Sequence, residues 1–130
     1  MKSPAQPRPT TAELAILRVL WQRGPSTVRE VLTVLERSRP TGYTTVLKTL
    51  QIMTTKGLVQ RNESERSHVY VAASAERQML RRIVSDLIDR ACGGSAAKLV
   101  LHALDARRLS ESELREIRTL LDEFEKKNAL

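Results

Sequence analysis

Apolar residues recur at helical spacing soon after the start of the chain, at Leu14, Leu17, Leu20 and Trp21. Thr10 and Glu13 precede them as a capping-box pair, in which a hydroxyl and a carboxylate satisfy the free amides of a helix start. Gly24-Pro25 ends this helix. A second box, Thr27 with Glu30, opens a helix whose inner stripe is Val28, Val31, Leu32 and Leu35, and Ser38-Arg39-Pro40 breaks it. Thr41 then stands where it can cap a third helix, with Val46, Leu47, Leu50 and Met53 inward and Gly57 as the stop. Beyond Gly57 the runs become short, β-branched and aromatic: LVQRN (58–62) and SHVYVA (67–72) flank a polar NESER tip and read as a hairpin. Three helices followed by a two-stranded β hairpin, in that order, predict a winged helix-turn-helix over residues 10–73. Residues 1–9 hold three prolines and no periodicity, and predict a mobile arm.

The second half, 74–130, is helical throughout and makes the chain mainly α. Ser74 and Glu76 start a helix bearing Met79, Leu80, Ile83, Val84, Leu87 and Ile88, which Gly93-Gly94 stops. SAAKLVLHAL (95–104) is apolar nearly all round, as in a helix enclosed by others. Ser110 with Glu113 makes a third box before a helix striped by Leu114, Ile117, Leu121 and Phe124. Fifty-seven residues seldom bury enough core to stand alone. A second copy of the chain is the simplest cover, so a homodimer is expected through Leu80, Ile83, Leu87, Leu99, Val100, Leu104, Leu114, Ile117, Leu121 and Phe124.

Charge sharpens the division. The net charge is +7, and residues 1–73 hold 11 Lys+Arg against 5 Asp+Glu, a balance of +6. Such an excess in one half points to a polyanionic partner, of which nucleic acid is the commonest. No apolar run approaches the ~20 residues that span a bilayer, and the start lacks a signal-peptide core, so no membrane insertion and a cytoplasmic location are expected. A single cysteine, Cys92, fits a reducing compartment.

The third helix carries the chemistry. Five of its positions are threonine, at about 0.5 kcal/mol each against alanine. Set at 100° per residue, Thr44, Lys48, Gln51 and Thr55 oppose the inward stripe, with Thr45, Thr49 and Ile52 beside them. No acidic residue occurs from Gly42 to Lys56. A face entering the major groove must keep carboxylates from phosphates and gains from hydroxyls, amides and methyl groups that meet base edges. Phosphate partners are expected around it: Arg29 on helix 2, Arg37, Arg39 and Thr41 in the turn, Lys56 at the helix end, and Arg61, Arg66 and His68 on the hairpin. Tyr43 falls beside the inward stripe, where packing is expected, with its hydroxyl in reach of a backbone phosphate. Trp21 reads as core, and Tyr70 is balanced between packing and surface.

Catalysis has little to stand on. His68 and His102 lie in different halves, and a metal site would need both to converge with Cys92 and a further ligand. Nothing places an orienting group or oxyanion donors beside a Cys/His pair, and no glycine-rich phosphate loop occurs, so neither a metal site nor a nucleophilic pair is expected. No cofactor and no enzyme activity are expected.

The segments AELAILRVLWQRGPSTVREVL, YTTVLKTLQIMTTKGLV and GGSAAKLVLHALDARRLSESELREIRTLLDE together resemble the penicillinase and methicillin-resistance repressor family, over about residues 10–125. The resemblance implies a homodimeric winged-helix repressor that binds a dyad operator of double-stranded DNA and interlocks through three C-terminal helices. It implies control of β-lactam or other stress-resistance genes, and relief of repression by a membrane-bound sensor protease system that triggers cleavage in the dimerisation domain. Two positions depart from the pattern. Ile52-Met53 stand where an Arg-Leu pair is frequent, and the cleavage position falls at His102-Ala103 where staphylococcal members have Asn-Phe. An operator preference of its own is therefore expected, and β-lactam-induced proteolysis does not follow from the likeness. Copper-responsive relatives carry clustered cysteines near the C-terminus, which EKKNAL lacks. A dimeric sequence-specific repressor is the leading expectation. The alternatives are a winged-helix interaction module docking an acidic protein, and a regulator with a ligand pocket between its halves.

Overall fold

The computed structural model describes residues 8–64 and 66–129. Of the arm expected over 1–9, all but Arg8 and Pro9 lies outside the described residues. Helix α1 spans Thr11–Arg23, and Thr10 and Glu13 form both halves of their capping box. Strand β1, Ser26–Thr27, leads into α2, Val28–Leu35, through the second complete box, Thr27 with Glu30. Helix α3 is Tyr43–Lys56, followed by strands β2, Val59–Asn62, and β3, Val69–Ala72. Helices α4, Glu76–Ala91, α5, Ala96–Ala106, and α6, Glu111–Asn128, complete the order.

The sheet has three strands where the hairpin alone accounts for two. Its order is β1-β3-β2, antiparallel, with Ser26 opposite Tyr70 and Arg61 opposite Tyr70 from the other side. Two residues after a Gly-Pro turn, the second of them the cap of α2, are too few to show alternation. Only the edge of β3, offering unpaired backbone groups, makes them a strand.

The core of the first unit joins Ile16, Leu17, Val19 and Leu20 of α1 to Val31, Val46, Leu50, Met53, Leu58 and Tyr70. Burial on α1 is wider than the stripe of Leu14, Leu17, Leu20 and Trp21, of which Leu14 and Trp21 are only partly covered. The cause is position: α1 packs against α2, α3 and β3 together. Trp21 still bridges, its indole N–H donating to the Ser74 carbonyl at 2.9 Å. Tyr70 resolves to packing, at 1% exposure. Tyr43 goes the other way: it is 43% exposed, because its place at the first turn of α3 lies beyond the reach of the core.

The cap of α3 also differs from expectation. Gly42 occupies the cap position with no side-chain bond, while the Thr41 hydroxyl donates to the Arg39 carbonyl at 3.2 Å within the turn. At the other end Gly57 has φ +81°, and the Leu58 amide donates to the Met53 carbonyl at 2.9 Å, a glycine-terminated stop with Leu58 buried behind it.

Two compact units meet between Val84 and Ser85, within α4. The first therefore runs past residue 73, because Met79 and Ile83 of α4 pack on the core already described. In the second unit α5 and α6 start at Ser95 and Ser110, whose hydroxyls accept the Lys98 and Glu113 amides. Neither helix has a buried residue. The apolar circumference of α5 is thus not enclosed by its own chain: Leu101 is 61% exposed, and on α6 Phe124 is 60% exposed. Among the described residues no helix is long and apolar enough to cross a membrane.

Candidate nucleic-acid interface

Helix α3 turns Val46, Leu50 and Met53 into the core and leaves Thr44, Thr45, Lys48, Gln51, Ile52 and Thr55 exposed, with Thr49 half-buried. The outward set expected from the sequence is the set that faces outward. Several of its hydroxyls are already engaged. Thr49 donates to the Thr45 carbonyl at 2.8 Å, Thr54 to Leu50 at 2.8 Å and Thr55 to Gln51 at 3.2 Å. Each of these side chains therefore offers a methyl group and an oxygen that accepts, its proton being held by the helix. Three of the five threonines of the helix thus have their branched side chains held by the backbone.

The basic residues divide into three groups. Arg29 and Tyr43 come together at the start of α3, the guanidinium carbon 5.3 Å from the ring centroid. With Arg66, Ser67 and His68 of the hairpin they line a cleft of about 540 Å³ between α2, α3 and the sheet. Four candidates scattered over 40 positions of sequence thus share one concavity, and Ser67 joins them unforeseen. Arg37 and Arg39 lie exposed in the α2–α3 turn. Arg39, Thr41, Thr45 and Thr49 line a second groove of about 430 Å³ with Arg18 of α1. Arg18 was not among the residues expected from the sequence; the signal there was an arginine three positions after the small residue Ala15, on one face of α1.

The third group is spoken for. The Lys56 ammonium donates to the Glu13 carboxylate at 2.6 Å and to the Arg8 carbonyl at 3.1 Å. Glu13 is 3% exposed. Burial pushes its carboxyl up, but the hydrogen bond from Lys56, the Thr10 amide and the Lys56 charge outweigh that and hold it below its ordinary value. Lys56 therefore anchors the end of α3 to the start of α1. Arg61 pairs with Glu63 on the hairpin. Among the described residues no carboxylate forms an ion pair with Lys48, Arg29, Arg37, Arg39 or Arg66.

The remaining candidates lie elsewhere. Leu80, Leu87, Val100, Leu104, Leu114, Leu121 and Phe124 are exposed, Leu99 and Ile117 are half-buried, and Ile83 packs on the first unit's core. His102 and Ala103 are exposed and lie well inside α5. No group of three metal-ligating side chains converges among the described residues.

What this arrangement can do is lay an acid-free helix face, edged on both flanks by arginine, along a polyanion. Residues 9–123 match the family model described as penicillinase repressor. The chain is 30% identical over 115 residues to the transcriptional regulator BlaI of Mycobacterium tuberculosis, covering 87% of this chain and 82% of that protein. It is 20% identical over 116 residues to the penicillinase repressor of Staphylococcus aureus, covering 89% of this chain and 92% of the relative. The solution structure of the DNA-binding domain of the repressor BlaI superposes with a TM-score of 0.50 at 23% identity, over 57% of this chain and 90% of that one, a likeness of fold. The family match, over residues 9–123, runs through both compact units, so the chain belongs to the penicillinase repressor family.

Proposed function

We propose that this chain is a dimeric, sequence-specific DNA-binding repressor acting on a dyad operator in the cytoplasm. The observation that carries the reading is the outer face of α3, exposed and free of carboxylates, with Lys48 at its middle in no ion pair among the described residues and arginines on both flanks. Helix α3 lies in the major groove. Thr44, Thr45, Lys48 and Gln51 approach base edges, while Arg29 with Tyr43, Arg66 and His68 on one side and Arg37 and Arg39 on the other hold the two phosphate walls. The open apolar faces of α5 and α6 take a second copy of the chain, and twofold pairing sets the two recognition helices one or more helical turns apart, about 34–36 Å per turn. Occupancy of the operator excludes transcription, and control of resistance genes is the class of regulation that the family membership supports. A protease takes its substrate extended, so cleavage between His102 and Ala103 requires α5 to unwind locally first.

A titration of labelled genomic and random duplexes against salt concentration tests this. The expected result is a steep fall of log affinity with log salt, about 0.9 per neutralised phosphate, and enrichment of particular genomic sequences. A shallow slope with no sequence preference overturns the reading in favour of docking to an acidic protein.

A further inference from the structure

The outer face of α3 changes character along its length. Around Ile52, Thr49 stands at i−3 and Thr55 at i+3, and both have given their hydroxyl protons to helix carbonyls, at 2.8 and 3.2 Å. Toward the helix end the next ammonium, Lys56 at i+4, is bonded to Glu13. Ile52 itself is 52% exposed on a helix whose buried aliphatic side chains are at most 1% exposed. A single exposed isoleucine means little on its own. Here three branched side chains follow one another on one edge and present methyl groups, with exposed Lys48, at i−4 from Ile52, marking the edge's polar end toward the helix start.

Resting on the DNA-binding reading above, we propose that this patch, centred on Ile52, reads the 5-methyl group of thymine in each operator half-site. The major groove displays one apolar group, the C5-methyl of thymine; cytosine and uracil carry hydrogen at the same place. A methyl-lined edge therefore separates thymine from both without a hydrogen bond, while Lys48 and Gln51, nearer the helix start, supply the polar readout.

The test uses the full chain. The tightest-bound duplex is selected from a randomised library and resynthesised with deoxyuridine in place of thymidine, one position at a time. Wild type and Ile52→Ala are titrated on each at fixed salt. Wild type is expected to lose about fourfold in affinity for each methyl group removed at the contacted position. Ile52→Ala, whose site is exposed and tolerates truncation, is expected to bind the thymidine duplex more weakly and to show no further loss on deoxyuridine. Equal affinity of wild type for both duplexes at every position overturns the proposal and leaves DNA binding standing. An undiminished deoxyuridine loss in Ile52→Ala also overturns it, because the effect then belongs to the duplex. A selection that enriches no sequence overturns the proposal together with the function beneath it.

Discussion

Lys48 and Lys56 sit on one helix eight residues apart and carry the same charge, yet their surroundings give them different work. Lys56 meets a buried carboxylate, and a charged hydrogen bond of that kind is worth about 1.5–3 kcal/mol. Lys56→Ala should lower unfolding free energy in urea by that amount. Lys48→Ala should change stability by less than about 0.5 kcal/mol, weaken operator binding and reduce the salt slope by about 1. If Lys48→Ala leaves both affinity and slope untouched, α3 is not in the groove. The Glu13 carboxyl is held below its ordinary value, so it protonates more readily in the unfolded chain than in the folded one. Its contribution is complete above the ordinary carboxylate value of 4.5 and is lost as pH falls through the lower, folded value. Urea midpoints followed from neutral pH into that range should fall less steeply in Lys56→Ala than in wild type; parallel curves would show that the pair is not the source. Charge and helical spacing made Lys48 legible as an outward residue. Lys56 looked identical, since nothing local reveals that Glu13, 43 positions earlier, lies against it.

Helices announced themselves through their ends. Complete capping boxes at Thr10 and Thr27 and the positive-φ glycine after α3 are local devices, satisfied by residues within a few positions, and a sequence carries them whole. Gly57→Ala should cost about 1–2 kcal/mol in thermal or chemical unfolding, since at φ +81° a Cβ is strained although the space around it is open. An unchanged midpoint would mean that the helix end relaxes. The start of α3 was misread for the same physical reason in reverse. Thr41 has a capping side chain, but the turn closes on its hydroxyl and places Gly42 at the cap. Strand β1 could not be read at all, because a two-residue strand exists only by pairing with β3. The outer face of α3 was legible residue by residue, whereas the bonding state of its threonines, and hence the methyl edge around Ile52, was not.

At the scale of the whole molecule the second unit leaves its apolar faces open, with Leu101, Leu121 and Phe124 each more than half exposed. Leu121→Glu with Phe124→Glu should shift the chain to monomer in sedimentation equilibrium and weaken binding to a two-half-site duplex much more than to a single half-site. Equal loss on both, or an unaltered association state, would remove this face from the dimer. Alternation, periodicity, caps and charge balance, all of them interactions between near neighbours, determined on their own the order of the helices, the hairpin, the acid-free face and the excess of apolar surface in the second half. Tertiary structure alone decided which charges remain available, by bringing Glu13 to Lys56 and gathering Arg29, Tyr43, Arg66 and His68 around one cleft. It also carried the first core into α4. The division follows from distance: periodicity and capping act over one or two turns of chain, while burial and ion pairing depend on which distant segments the fold makes adjacent.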